Sequence, residues 1–456
     1  MASILATIGD LQDNHGMYKQ AIEPFLRSIA LFERLGNRTG LAFAVNGLGT
    51  AYNGLGDYEL ALKNYHRSLD ITRELSDKQR IARALNNIGM VEIEQSDYAE
   101  AMKCYEESLS IEEEAGDAEA VATVLLGMGI AQTDQGNYSR ALTLLGRSQV
   151  MAEKAERPFL VSRVLFNTAR VHSFQGNSPQ AIEHYKRALE LSEKSNDQQV
   201  AAYCLVGLGT VERVERHYAD AEAFLQRGLK VAEGFGGKAI IAVALSNIGG
   251  VQREQGKNSE ALEYFQKAMK LEEELSDKAD TAGTLTEIAE TYTALGRYTL
   301  ALDAADQAAR MAEKVGFRAY MFDALVSQAT AYRALGSIDR ARDTLAKAIS
   351  ASEALRSSIG GSAPEREPFL ERTVAPYYAM SDLLLDQGST AEAFNFAERS
   401  KARTLTDVLE SGKVDLTRAL TADEKGRERD VNAKLASINT QLLNERLSDR
   451  PDQDRV

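Results

Sequence analysis

The stretch Gly56-Asp57-Tyr58-Glu59-Leu60-Ala61 decides the fold, because a related hexamer returns at a fixed interval along most of the chain. Steps of 40 residues from its alanine, back to position 21 and forward to position 341, meet alanine every time. The column consists of Ala21, Ala61, Ala101, Ala141, Ala181, Ala221, Ala261, Ala301 and Ala341. Such periodicity is the signature of a repeat protein, in which each unit packs on its neighbours.

Two other columns of the same period contain only small residues. One begins with Gly9 and Gly49, and the other begins with Ser28 and Ser68. A third column is bulky in most repeats, as at Tyr65. Small side chains let two helix backbones approach, and one large side chain per repeat then fills the gap at the density of a protein interior. The columns therefore predict closely packed helix pairs.

Turn signals divide each repeat in two. A glycine stands five residues before the column alanine in seven of the nine repeats, as at Gly56 and Gly136, where a helix end needs positive φ. A second turn-forming pair recurs between repeats, as at Gly116-Asp117. Each repeat is therefore predicted to be a helix, a tight turn, a longer helix and a second turn.

These columns, the aromatic residue in the second helix and the Gly-x-Tyr turn at Gly56 and Tyr58 resemble the tetratricopeptide repeat. The usual period of that repeat is 34 residues. The period of 40 here is similar to the longer-helix variety, although the aromatic opening of the standard motif is absent. The resemblance implies an all-α fold: an α-solenoid, a right-handed superhelix of antiparallel helix pairs.

The periodicity also suggests a division of the chain. After the repeats, Gly388 and Ala393 keep the five-residue spacing of a degenerate tenth repeat, and Val431 and Leu435 begin an apolar seam typical of a coiled coil. We expect nine repeats in residues 1–356, a loop in 357–368, the tenth repeat in 369–412, and a linker with a coiled-coil-like helix in 413–456.

Composition excludes several classes of function. The net charge of −14 argues against binding nucleic acid through a broadly positive surface. The sequence contains no run of 18 apolar residues, so no membrane span is predicted. Two widely separated cysteines indicate a reducing compartment, for which we expect the cytoplasm. No zinc spacing, phosphate loop or metalloprotease motif is present, so we expect no catalytic residue, metal or cofactor. His66 and Cys104 lie on equivalent helices of adjacent repeats, but packing explains both positions better than a catalytic dyad does.

Asparagine and arginine on the face opposite the apolar stripe of the first helices are the strongest binding signal. In relatives of the tetratricopeptide type, such asparagines hold a peptide backbone and such basic residues hold carboxylates, as amide and guanidinium chemistry allows. The alternative is that they are solvated or form hydrogen bonds between repeats. The predicted peptide-binding residues are Asn46, Arg83, Asn86, Asn87, Arg163, Asn167, Arg170, Asn247 and Glu254.

The run Ala-Glu-Arg-Ser-Lys-Ala-Arg-Thr-Leu, which starts at Ala397, resembles the junction in CHAT proteins, where tetratricopeptide repeats join a caspase-like peptidase. This resemblance implies that the chain is the protein- or peptide-binding sensor of a bacterial CHAT-type protease, with the peptidase domain downstream as a partner in cis. A free-standing adaptor in signalling or assembly is the alternative. An enzyme within these 456 residues is a third class, and would predict hydrolysis or metal binding by the purified chain.

Overall fold

The structure, a computed structural model, describes residues 1–14, 16–95, 97–275, 278–315, 318–358 and 374–410. Within these ranges every regular element is an α-helix, and consecutive helices pack as antiparallel pairs. The predicted all-α solenoid is confirmed.

The first helices of the repeats are the odd-numbered helices. They span Ala2–Asn14 (α1), Arg38–Gly54 (α3), Lys78–Glu94 (α5), Ala118–Asp134 (α7), Pro158–Phe174 (α9), Gln198–Val214 (α11), Lys238–Glu254 (α13), Lys278–Ala294 (α15) and Arg318–Ala334 (α17). The second helices are even-numbered. They span Tyr18–Leu35 (α2), Tyr58–Glu74 (α4), Tyr98–Ala115 (α6), Tyr138–Lys154 (α8), Ser178–Lys194 (α10), Tyr218–Phe235 (α12), Asn258–Leu275 (α14), Tyr298–Val315 (α16) and Ile338–Ser358 (α18).

A further pair follows the array: α19 (Ala375–Asp386) and α20 (Thr390–Glu410). Helix α18 continues two residues beyond Arg356, where we expected the array to end. The remainder of the predicted loop and the coiled-coil-like helix, residues 413–456, lie outside the described residues. No described helix combines the length and apolarity that crossing a membrane requires.

The hexamer builds the turn as its residue types require. Gly56 has φ +75°, the left-handed conformation that closes α3. The carboxylate of Asp57 then accepts a hydrogen bond from the backbone N–H of Leu60, which caps α4. Arg216 takes the equivalent left-handed conformation with φ +62°, although it has a side chain. The backbone geometry therefore recurs even where the glycine does not.

The alanine column forms the contact between the two helices of each repeat, and all nine alanines are fully buried. The serine column ties the same helices together. Ser68 donates a hydrogen bond of 3.0 Å to the carbonyl oxygen of Ala42, and Ser148 donates one of 2.6 Å to that of Ala122. These bonds satisfy buried hydroxyl groups at positions where a larger side chain would separate the helices.

A second period, of 80 residues, is present from position 47 to position 247. The rings of Phe25, Tyr105 and Tyr185 each reach the first helix of the next repeat, where Gly47, Gly127 and Gly207 stand. A Cβ on any of these glycines would lie 2.4–2.6 Å from the ring. In the intervening repeats the equivalent positions are asparagines: Asn87, Asn167 and Asn247. In the repeats that precede Asn167 and Asn247, the bulky residue is leucine rather than an aromatic residue, which leaves room for the amide.

Ion pairs connect neighbouring second helices on the outer surface, by which we mean the exposed faces of α2, α4, α6, α8, α10 and α12. Each pair joins residues that are 34 positions apart. In four pairs the acidic residue precedes the arginine in the sequence, and in the Arg73–Glu107 pair the arginine comes first. The pairs are Glu33–Arg67, Arg73–Glu107, Glu113–Arg147, Glu153–Arg187 and Glu193–Arg227.

Candidate functional site

The first helices line the concave side of the stack. Successive first helices contact one another at every junction from α1 to α17, whereas second helices of neighbouring repeats approach less closely. We call the exposed faces of α3, α5, α7, α9, α11, α13 and α15 the inner surface. All nine residues predicted to bind a peptide lie on these helices.

Arg83 and Asn86 line a cleft of about 250 Å³ between α5 and α7. Ser108 and Glu112 of α6 also line the cleft, and Thr123 lies across from Arg83 on α7. Arg83 is exposed and forms no ion pair with any described residue, which leaves its guanidinium available to a ligand. Burial raises the pKa of the Glu112 carboxyl, and Arg83 opposes that rise. The cleft therefore combines a cation without an ion-pair partner, an amide and hydroxyl groups with the carboxyl groups of Glu112 and Asp117.

Three predicted asparagines form hydrogen bonds between repeats. The amide nitrogen of Asn87 donates to Oδ1 of Asn46 over 3.3 Å. The hydroxyl of Thr210 on α11 donates to Oδ1 of Asn247 on α13 over 3.1 Å. These contacts correspond to the alternative that the sequence left open, in which the amides bridge adjacent first helices. Their role in binding a ligand stays a prediction.

Arg163, Asn167 and Arg170 lie together on α9 but differ in availability. Asn167 is buried; it donates to the carbonyl oxygen of Arg163 and accepts from Nη1 of Arg170 over 3.1 Å. Arg170 also forms an ion pair of 3.4 Å with Asp134 on α7 and lies over the ring of Phe174. Burial raises the pKa of Asp134, and the nearby Arg170 cation opposes this rise. Arg163 alone of the three is exposed, with Asp197 at 4.0 Å.

An ionic network continues along the inner surface toward the C-terminal repeats. Arg213 on α11 reaches Glu254 at 3.6 Å and Glu287 at 3.1 Å. Arg253 on α13 reaches Glu287 at 2.9 Å and Glu290 at 3.1 Å. The network therefore links three successive first helices, and Glu254 is its only member among the predicted residues.

The pKa values of two glutamates in the network, Glu287 and Glu290, are shifted in opposite directions. Burial disfavours the charge of Glu287, but Arg213 and Arg253 hold its pKa below the usual range. Burial raises the pKa of Glu290 to about 7; Arg253 opposes this rise, and Glu287 adds to it. The two arginines thus favour the ionised form of Glu287, whereas the protonated form of Glu290 persists to a higher pH.

Sequence reasoning missed Arg213 and Arg253, although a signal for the network was present. Gly250 stands on α13 where a Cβ would lie 1.6 Å from Nη1 of Arg213. This helical glycine leaves space for the guanidinium to cross from α11 to its partners on α13 and α15. A glycine on an inner face, one turn before Arg253 and Glu254, was therefore informative.

The two cysteines are buried and free. Burial raises the pKa of Cys104 to about 11, and burial also raises the pKa of Cys204. Both groups are therefore thiols at neutral pH, and a thiol is a poor nucleophile compared with a thiolate. Among the described residues, no group of three or more His, Cys, Asp or Glu side chains has the arrangement of a metal site.

The fold and the inner surface define a tetratricopeptide-repeat solenoid, the class of protein that presents a curved surface to other proteins or peptides. The family model of the tetratricopeptide repeat matches residues 40–114 and 80–154. The model described as the MalT-like TPR region matches residues 156–438, which is more than half of the chain. The chain therefore belongs to the MalT-like tetratricopeptide-repeat family.

Several solved structures share this fold. A Rap protein complexed with competence and sporulation factor is 15% identical over 78% of this chain and 99% of that chain, with a TM-score of 0.60. The apo form of the quorum sensor NprR from B. thuringiensis is 16% identical over 76% and 97%, with a TM-score of 0.53. Aspartyl phosphate phosphatase F from Bacillus subtilis is 14% identical over 79% and 96%, with a TM-score of 0.50. At these identities the likeness concerns the fold alone. No curated protein sequence matches the chain.

Proposed function

We propose that the chain binds an extended, acidic segment of a protein or peptide on its inner surface, centred on the cleft beside Arg83 and Asn86. The observation that carries this proposal is the exposed, unpaired guanidinium of Arg83 next to an amide, on the wall of a cleft. An amide donates to and accepts from an extended backbone, and a guanidinium binds a carboxylate in bidentate fashion. Arg163, two repeats further along the inner surface, supplies a second exposed cation.

A panned library of random peptides displayed on phage tests this function without assuming a partner. We expect the wild-type chain to enrich peptides that contain Asp or Glu. Arg83→Glu should abolish that enrichment, and Arg163→Glu should weaken it. Arg140→Glu is the matched control, because it makes the same charge change at an exposed position on the second helix α8. Equal enrichment by the Arg83→Glu and Arg140→Glu variants would refute the assignment of the cleft.

We also propose that the chain is the sensor region of a bacterial, cytoplasmic CHAT-type protease. Support comes from the resemblance of the run that begins at Ala397, which lies on α20 directly after the repeats. Two free cysteines fit a reducing cytoplasm. Binding of a partner to the inner surface would then alter the superhelix and release the peptidase domain, a mechanism that rests on analogy with the family.

The reading frame of the gene distinguishes this proposal from a free-standing adaptor. A segment of mixed helices and strands that carries a histidine and a cysteine after codon 456 would support the protease. A stop codon at that point, or a domain without these residues, would favour the adaptor. The assignment of the Arg83 cleft is independent of this outcome, because the phage experiment tests it separately.

A further inference from the structure

A second cleft, of about 440 Å³, lies on the outer surface between α6 and α8. The buried side chains of Val121 and Leu125 on α7 line it. Met151 and Val150 line it from α8, and Val150 is 58% exposed. The volume falls within the range of pockets that hold small organic ligands, and the predominantly apolar lining is also typical of such pockets.

Gly146 opens this cleft. It lies within α8, has no positive φ, and a Cβ added to it would meet nothing within 4 Å. Neither backbone conformation nor close packing therefore requires a glycine, which is disfavoured in the middle of a helix. Equivalent positions in the neighbouring repeats carry Glu106 and Lys186. The missing side chain of Gly146 accordingly leaves the apolar floor accessible.

A second departure from the repeat pattern occurs at the same junction. At three other junctions, a cation at the start of a first helix pairs with an acid near the end of the following second helix. We call these pairs junction bridges: Arg38–Glu74, Lys78–Glu114 and Lys238–Glu274. Here the equivalent residues are Ala118 and Lys154, and both line the cleft. The next two junctions along the chain also lack the bridge, but they keep Lys186 or Gln226 at the position of Gly146.

The rim of the cleft carries one uncompensated positive charge. Arg147 and Glu113 neutralise each other through an ion pair of 3.0 Å. Lys154 is exposed and, within the described part of the chain, has no ion-pair partner. The position of Ala118 carries no acid that could form the junction bridge with Lys154, and the neighbouring Glu119 pairs with Arg157 at 2.7 Å instead. The cleft thus combines an apolar floor with a single available ammonium group.

We propose that this cleft binds a small amphipathic anion, with an apolar body against Val121, Leu125 and Met151 and one carboxylate or sulfonate beside Lys154. An apolar body gains from removal of its surface from water, and the ammonium selects the charged end. The site is separate from the inner surface and does not depend on the function proposed there.

Two fluorescent probes with the same ring system test the proposal. Anilinonaphthalene sulfonate carries the anionic group, and phenylnaphthylamine lacks it. We expect both probes to bind the full chain at one saturable site. Lys154→Gln should weaken binding of the sulfonate by about two- to fivefold, the size expected for an exposed ion pair, and leave binding of the neutral probe unchanged.

Gly146→Met fills the cleft without a steric conflict, because the position is open, and should remove saturable binding of both probes. Gly234→Met is the matched control, since Gly234 is also helical, exposed and free of contacts within 4 Å. The proposal is overturned if Gly146→Met binds the sulfonate as tightly as the Gly234→Met control does. Absence of saturable binding to the wild-type chain, or a Lys154→Gln effect that is equal for both probes, would also overturn it.

Discussion

The ring of Tyr105 is enclosed by two glycines, and this arrangement makes a single methyl group a severe perturbation. A Cβ on Gly127 of α7 would lie 2.6 Å from Cζ of Tyr105, whereas ordinary contact begins at 3.4 Å. The ring cannot retreat, because a Cβ built on Gly89 of α5, on the other side, would already be 2.9 Å away. Tyr105 is also 1% exposed. We therefore expect Gly127→Ala to force neighbouring helices apart.

Two opposing terms set the size of this effect. Overpacking of a well-packed core costs roughly 1–3 kcal/mol. Replacement of glycine by alanine in a helix stabilises the helix by about 1 kcal/mol. The net result is a loss of up to about 2 kcal/mol in the free energy of unfolding. Gly146→Ala makes the same chemical change at an open position, so it should raise the free energy of unfolding by roughly 0.5–1 kcal/mol.

Native-state hydrogen exchange of the backbone amides of α5 and α7 is the appropriate assay, because a solenoid can unfold in segments rather than as one unit. The Tyr105→Leu background supplies a second test. Leucine occupies the equivalent position at Leu145, and the next repeat has Asn167 there. In that background Gly127→Ala should become stabilising. Stabilisation by Gly127→Ala in the wild-type background, equal to that of Gly146→Ala, would refute the reasoning.

Three further predictions concern other contacts. Arg73→Glu should lower the free energy of unfolding by about 0.2–1 kcal/mol, and the swap Arg73→Glu with Glu107→Arg should restore it in urea titrations, because the swap reproduces the order of the other outer pairs. The pKa of Glu290, about 7, lies above the ordinary value of 4.5 for a glutamate, so the folded state binds more protons between these values. The stability that Glu290 contributes should therefore increase as pH falls from 8 to 5. Thermal melts of Glu290→Gln should lack this increase. The Glu290 side chain is 41% exposed, which reduces the effect. Ser148→Ala should cost about 0.5–1.5 kcal/mol in urea titrations while circular dichroism stays unchanged, since Ala188 fills the same column naturally.

The packing columns were predictable because every repeat solves the same geometric problem. The complete burial of Ala61 and the left-handed conformation of Gly56 follow directly from the residue types at a fixed period. The 80-residue alternation was also written in the sequence at Gly47, Asn87 and Gly127. It escapes notice when each column is considered alone, since each of these glycines faces a ring of the preceding repeat.

The state of the inner-surface side chains was not predictable to the same degree. Arg83 and Arg170 are both arginines on first helices, yet one is exposed and the other is paired with Asp134. The difference depends on which side chain occupies the adjacent helix and on the rotamer that reaches it. Periodicity places a residue on a face, but the lateral partners determine whether its charge is available.

The alternation of aromatic residue and glycine limits how such a chain can change length. Excision of residues 121–160 would bring Tyr105 against Asn167, where there is no glycine to receive the ring. Excision of residues 121–200 would bring Tyr105 against Gly207, which already receives the ring of Tyr185. Excision of four helices between Tyr105 and Gly207 should consequently leave a foldable protein, whereas excision of two helices at the same point should lower its stability.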